Sequence, residues 1–517
     1  MKNRNQQGSY GEDRTGTVII GAGPGGLSAA YELSRHGVAC DVLERDTQPG
    51  GIARTEAYKG YLFDLGGHRF FTKISVVQKM WEEILGDDFV LRPRSSRIFF
   101  GSRFFRYPLA PWDAFSKLGP IESARCLLSY FAARFKPIQP EVSFADWVSN
   151  RFGRRLFELF FRTYTEKVWG IPCDQIGAEW ASQRIKGLSL SSAIKNAFLP
   201  KRHANSSGKV IKTLIDEFLY PRRGPGMMWE RCAEIVEERG AKVRYHAPVT
   251  RINWEPGRVV SVEAGGRVYP GSHFVSTMPI RELLQALSPA PPASVQRAAL
   301  DFNYRDFLIV ALILNRPDPF ADNWIYVHDP GVKVGRIQNF RSWSPEMVPD
   351  AATCCLGMEY FCFDGDGLWS MGDRDLVKLA SEELTKIGLS ATESVTDGRV
   401  IRVPKAYPVY DGVYKRGLEE VRRFLTLVPN LQLVGRNGMH QYNNQDHSVL
   451  TGLLAARNIM GANYDLWSVN AGDEYHEAGI EITEEELRAF EKSQPAVPVQ
   501  IGKRPAAPAA AVFGHGT

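Results

Sequence analysis

Thr17-Val-Ile-Ile20, Gly21-Ala-Gly23-Pro-Gly-Gly26 and Leu27-Ser-Ala-Ala-Tyr-Glu-Leu33 run on without a break near the start of the chain. The first four residues are a β-branched strand signal. The glycines form a turn, and the apolar spacing after them is helical. In a strand–turn–helix of this kind Gly21 permits the tight turn, Gly23 lets a pyrophosphate approach the backbone, and Gly26 lets helix pack on strand. The free N–H groups at the helix start then receive the phosphate. Gly37 ends the helix, and a second strand, Ala39–Leu43, finishes at Glu44, 18 residues after Gly26. A carboxylate there suits ribose hydroxyls. The unit reads as a dinucleotide-binding βαβ, with Arg45 beside the acidic residue.

Three further segments come in a fixed order. Gln48-Pro-Gly50-Gly51-Ile-Ala-Arg54-Thr55 leads to Phe63-Asp64-Leu-Gly66-Gly67-His68. Gly224-Pro-Gly226-Met-Met-Trp229 opens a helix ending at Gly240, with strands after it through Val249 and Phe274–Thr277. Leu431-Gln-Leu-Val-Gly435-Arg436 and Tyr442-Asn-Asn444-Gln445-Asp446 precede a helix over Val449–Ile459.

This series resembles the amine-oxidase-like flavoprotein superfamily. The resemblance implies FAD, with Gly50, Gly51 and Gly67 lying against flat rings, Arg54 and Arg436 reaching phosphate, Val249 passing the adenine and Gln445 at the flavin end. It also implies His68 beside the isoalloxazine. The fold expected is α/β: a discontinuous Rossmann-type FAD-binding domain with a helical insertion and a mixed-sheet substrate domain. The expected boundaries are 15–95 with 221–295 and 406–465 for FAD, 110–220 for the helices, and 96–109 with 296–405 for the sheet. A flexible arm over 1–14, an acidic helical tail over 466–494 and a disordered tail over 495–517 complete the layout.

On the substrate side, Tyr164-Thr-Glu-Lys-Val-Trp169-Gly170 is similar to a segment of UDP-galactopyranose mutases. In those enzymes the tyrosine stacks on uracil and the tryptophan lies near the sugar. The resemblance makes Tyr164, Trp169 and Asn444 substrate-binding. Arg184, Arg305 and Tyr442 become the groups that hold a leaving diphosphate while reduced flavin N5 attacks an anomeric carbon. The chain departs from the mutase pattern at two places. Val334-Gly-Arg336-Ile337 stands where the mutases carry a tyrosine, and Asn444 stands where they carry an aspartate. Both departures favour another sugar nucleotide or a related sugar-phosphate. NAD(P)H is a candidate reductant of the flavin.

A second family competes, the protoporphyrinogen-oxidase and desaturase group, in which oxidised flavin accepts hydride. Phe99, Phe100, Phe104, Phe105 and Tyr107 interleave with Arg92, Arg94, Arg97, Arg103 and Arg106 on a hairpin turning at Gly101-Ser102. Basic and aromatic residues together suit a membrane interface, so peripheral membrane contact is one expectation. A half-buried sheet with a solvated face is the other. A flavin-binding protein without catalysis forms a third class.

Composition bounds these readings. The 517 residues are 44% hydrophobic and 23% charged, as in ordinary globular chains. A net charge of +5 does not suggest a nucleic-acid partner, and the resemblance implies a small anionic substrate instead. Seven cysteines with no CxxC pair imply free thiols, and histidine spacing gives no metal site. The first 15 residues lack an apolar h-region, and no run of about 18 apolar residues occurs. A cytoplasmic location is the resulting expectation.

Overall fold

The computed structural model describes residues 16–178, 217–411 and 413–470. It bears out the α/β class. Thr17–Ile20 is the central strand of a five-stranded parallel sheet, ordered Leu431–Leu433, His273–Ser276, Thr17–Ile20, Cys40–Leu43 and Lys242–Arg244. Three stretches far apart in sequence therefore build one sheet. All four residues of Thr17–Ile20 are buried, as a parallel strand covered on both faces requires.

The helix after the glycine turn, Pro24–Arg35, packs on two others, Gly226–Glu238 and Gln445–Ile459. Contact between the first and last is backbone to backbone. A Cβ on Gly452 would stand 2.1 Å from the Gly25 carbonyl oxygen, and one on Gly26 would stand 1.9 Å from the Gly21 oxygen. Gly21 itself has φ +95° and leaves no room for a side chain, since Thr277 Oγ1 lies 2.0 Å from its Cβ position. The Gln445–Ile459 helix starts four residues before the expected Val449 because Asn444 takes the N-cap position.

A seven-stranded sheet forms the second layer, ordered Val395–Pro408, Tyr304–Leu314, Cys354–Cys362, Arg336–Asn339, Trp324–Val327, Ser96–Phe100 and Arg103–Arg106. Side chains alternate along its strands. Phe307, Ile309, Ala311 and Cys355 join the core under the helical insertion. Leu308, Val310, Leu312 and Cys354 join the core under the Asp373–Ile387 helix. The adjacent cysteines thus face opposite ways, and all seven cysteines are free and buried.

The aromatic hairpin is present, with Gly101 and Ser102 both at positive φ, the pattern of a type I′ turn. Its aromatic side is not a surface. Phe99 and Phe105 are buried, and Phe105 meets Phe160 edge-on at 5.1 Å. The membrane reading of this hairpin is corrected by that packing: the rings supply core. Among the helices, Arg154–Phe157 passes through a π-helical turn, Glu158–Arg162, into Thr163–Trp169, which Gly170 ends at φ +69°. The extra residue of a π turn rotates the helix beyond it, and that helix carries Tyr164 and Trp169. The expected arm and most of the expected tail, including the acidic helix near Thr483, lie outside the described residues.

The Gly452–Gly25 contact makes a clear prediction. Gly452→Ala should lower stability by about 1–3 kcal/mol, the usual cost of overpacking. Gly367→Ala, where an added Cβ meets nothing within 4 Å, should stay within about 0.5 kcal/mol of the parent. Denaturant unfolding of both variants checks this, and equal stabilities would refute the backbone contact.

Candidate active site

The glycine turn, the Glu44 strand end and the Gly50-Gly51 loop meet at one place. Ala22 N–H donates to Glu44 Oε2 at 2.6 Å and Asp46 N–H to Oε1 at 2.9 Å. A carboxylate has about four acceptor positions, so the buried Glu44 ties the glycine turn to its own strand and keeps room for ribose hydroxyls. Ala247 N–H donates to the Glu44 carbonyl, which brings the approach to Val249 beside it. Gly50 N–H bonds the Ala22 carbonyl, and the Gly51 Cβ position is 3.4 Å from Gly23 Cα. Two glycine backbones thus face each other with no side chain between them, a cradle that suits a pyrophosphate. Gln445 accepts from Trp229 Nε1 at 3.0 Å and leaves its own buried Nε2 without a partner.

The other cofactor-side candidates make the following contacts. Arg54 is paired with Asp46 at 3.0 Å and Glu56 at 2.7 Å. Arg45 is exposed and lies 3.8 Å from Asp46. Arg436 donates to the carbonyls of Asn443 and Ala406 and lies over the rings of Tyr442, at 4.9 Å, and Tyr407, at 5.3 Å. Gly435, at φ +78°, donates its N–H to Thr451.

His68 stands on the turn after Gly66 and exposed Gly67. Its Nδ1 is 3.1 Å from the Gly66 carbonyl. A carbonyl only accepts, so Nδ1 carries the hydrogen and Nε2 is left as an acceptor. Burial, then the Arg436 charge, pushes its pKa down to about 3. The imidazole is therefore neutral at physiological pH.

A cluster of aromatic rings adjoins this turn through Phe307, which lies 4.0 Å from the Gly66 Cβ position and 6.2 Å from Tyr407. Tyr407 and Tyr442 stack at 5.6 Å, and Trp169 lies 6.1 Å from Tyr442. Tyr164 stacks on His328 at 4.7 Å and 12° and meets Tyr326 edge-on at 5.5 Å. Burial pushes the His328 pKa down to about 3. Asn444 caps its helix through its backbone, with no side-chain cap bond.

Arg336 lies within this cluster and was not among the residues expected at the site. It donates to Tyr407 Oη at 2.9 Å, pairs with buried Glu359 at 2.6 Å and lies 5.1 Å over Phe361. Its Nε is buried without a partner. Burial alone would lower its pKa, but Glu359 overrides this and holds it well above the usual value. Cross-strand register places Arg336 opposite Glu359, a non-local pairing that neither stretch of sequence shows by itself.

Arg305 is not a free clamp. Its guanidinium donates to the carbonyls of Val168 at 3.1 Å, Lys167 at 3.2 Å and Phe361 at 3.0 Å, and lies 4.0 Å over Phe363. It caps the C-terminal end of Thr163–Trp169, where a cation opposes the helix dipole. Arg305 thus positions Tyr164 and Trp169. Arg184 lies outside the described residues.

The chain belongs to the flavin containing amine oxidoreductase family, whose model matches residues 24–460. FAD is its cofactor, and the Glu44 and paired-glycine cradle fits it. The fold is similar to that of reduced UDP-galactopyranose mutase, with TM-score 0.77 and 20% identity over 90% of this chain and 100% of that one. A protein from Exiguobacterium sp. 255-15 assigned as protoporphyrinogen oxidase gives TM-score 0.68 and 18% identity over 87% and 99%. Putrescine oxidase gives 0.60 and 17% over 86% and 98%. Among curated proteins, an inactive all-trans-retinol 13,14-reductase of Danio rerio is 46% identical over 54 residues, 10% of this chain and 9% of its own length. An L-amino acid oxidase of Crotalus durissus cumanensis is 44% identical over 62 residues, 12% of each. The chain thus spans about a tenth of the curated relatives it matches.

Glu44→Gln replaces one acceptor oxygen by a donor and should weaken FAD binding by about 1–3 kcal/mol. Titration of apoprotein with FAD reads this, and unchanged affinity would put the ribose elsewhere. Acid provides a second test. His68 and His328, at about 3, and His440, at about 4, are all held below the usual 6.5 by burial, so unfolding takes up three protons as pH falls below that value. Asp64, raised by burial to about 7, releases one in the same window and opposes them. His273 is held low as well, and the raised Asp306 and Asp318 oppose only toward the ordinary carboxyl range, so stability should fall as pH falls and the unfolding temperature should drop between about pH 7 and pH 5. A flat or rising profile in calorimetry would contradict the buried neutral imidazoles.

Proposed function

We propose that this flavoprotein acts on a sugar nucleotide or related sugar-phosphate, with mutase-type chemistry at the anomeric carbon. Arg336 carries the reading: a largely buried guanidinium whose Nε is buried without a partner, donating to Tyr407 Oη. Arg336 pairs with Glu359, whereas Arg436 donates to main-chain carbonyls, those of Asn443 and Ala406. Positive charge of this kind suits a diphosphate, and a planar fork suits its oxygens. Tyr164 offers a broad ring face of the kind that stacks on a base.

Reduced FAD supplies a nucleophilic nitrogen for the anomeric carbon. The residues supply the rest. Arg336 holds the departing diphosphate, with Tyr442 beside it. Trp169 and the Tyr407–Tyr442 stack exclude water from the sugar. Neutral His68 presents Nε2 as an acceptor and holds the Gly66 turn through Nδ1. Arg305 keeps the Thr163–Trp169 helix in place through its last carbonyls, and Arg184 is a candidate second diphosphate ligand. Similarity of fold to a reduced UDP-galactopyranose mutase supports this reading. Family membership and the matches to oxidases support a second, hydride transfer from a substrate to oxidised flavin.

Arg336→Lys and Arg336→Ala test the site. Each should weaken a bound sugar nucleotide by roughly 2–4 kcal/mol, as for a buried hydrogen-bonded charge pair, since an ammonium cannot form the fork. FAD content should be unchanged. Calorimetry with a panel of sugar nucleotides decides. If none binds the parent, or if the variants bind as well as the parent, the oxidoreductase reading takes its place.

A further inference from the structure

The Pro120–Phe135 helix turns its apolar side outward. Ile121, Leu127, Leu128, Phe131 and Phe135 are all exposed, Leu128 to 70% and Phe135 to 88%, while Ser123 and Cys126 on the other side are buried. At helical spacing the five apolar positions span about 120°, the width that normally faces a core. Arg125 borders one edge of the stripe and Arg134 the other. The Pro111–Leu118 helix packs beside it and adds exposed Trp112 and Phe115, whose rings meet edge-on at 6.2 Å. An exposed apolar area of this extent on a folded protein marks something that covers it.

Charge identifies the cover. Residues 103–136 hold six cations, Arg103, Arg106, Lys117, Arg125, Arg134 and Lys136, against two acids, Asp113 and Glu122. Asp113 is taken by Lys117, and Glu122 by Arg155 and, at 3.5 Å, by Arg125. Arg134 and Lys136 have no acidic partner among the described residues. A second copy of this face would set cation against cation across the stripe. A surface of phosphate headgroups over acyl chains matches both features, cations at the rim and large apolar side chains between them. No helix among the described residues is long and apolar enough to cross a membrane, so the contact is lateral.

We propose that this helical pair docks the protein on the surface of a membrane rich in anionic lipid. The stripe sinks to the headgroup–acyl boundary, and Arg125, Arg134 and Lys136 meet the phosphates. The contact is separate from the flavin site and does not depend on which substrate that site takes.

Flotation of the full, FAD-loaded chain tests this with vesicles of phosphatidylcholine alone and of phosphatidylcholine mixed with phosphatidylglycerol. The protein should float with the anionic vesicles, at least about tenfold more than with the neutral ones, and high salt should release it. Leu128→Asp with Phe135→Asp changes two exposed positions, so folding and FAD content should persist while flotation falls about tenfold or more. Arg125→Glu with Arg134→Glu should reduce flotation on anionic vesicles. The proposal is overturned if the parent does not float with anionic vesicles, or if the Asp pair floats as the parent does. It is also overturned if the parent sediments as an oligomer that the Asp pair dissociates, since the face then joins two copies of the chain.

Discussion

The close passage of two helix backbones, at Gly25 and Gly452, is the contact on which the rest of the molecule depends. A Cβ on Gly452 would strike the Gly25 carbonyl oxygen, and one on Gly25 would stand 3.3 Å from the Ser448 oxygen. That contact fixes the Gln445–Ile459 helix against the first glycine turn. It thereby seats Leu431–Leu433 at the edge of the sheet begun by Thr17–Ile20. Gln445 and Arg436 lie at this junction because this end of the chain is pinned to the first helix. The Gly23–Gly51 approach repeats the device on a smaller scale, leaving main-chain groups uncovered where a pyrophosphate needs them.

Charge in the interior is managed in three ways. Imidazoles are kept neutral by burial, as at His68 and His328. Arg305 directs its donors to main-chain carbonyls at a helix end, so it holds geometry rather than ligand. Arg336 combines a buried carboxylate partner with a donor left over. Unmet donors in a dry site are costly to fold, and binding an anion recovers that cost. The two basic aromatic regions differ in the direction their rings point. The Ser96–Arg106 hairpin turns its rings inward, whereas the Pro120–Phe135 helix turns its own outward between two arginines.

The glycine turn and Glu44 are legible in sequence because each is local, a turn and a strand end, whereas the discontinuous sheet joins distant stretches and is legible only through the family resemblance of its three segments. Tyr164 and Trp169 are legible as aromatics on one helix, though not the π turn that orients them. Arg305 misleads as a diphosphate clamp because a helix cap made across 137 residues leaves no mark near either partner. Arg336 escapes notice because its role comes from register with Glu359 in another strand. Periodicity marks the region around Glu122–Arg134 as helical, but a period cannot tell which face looks out.

The central claim is that a cradle built for FAD is joined here to a pocket for a sugar-phosphate, so that chemistry proceeds without net oxidation. Anaerobic turnover of a bound sugar nucleotide, with the flavin fully reduced at the start, measures this directly. The expected result is product with the same oxidation state as substrate, activity only in the reduced protein, and reduced flavin at the end. Product formed only by oxidised protein, with one equivalent of acceptor consumed for each turnover, would contradict it.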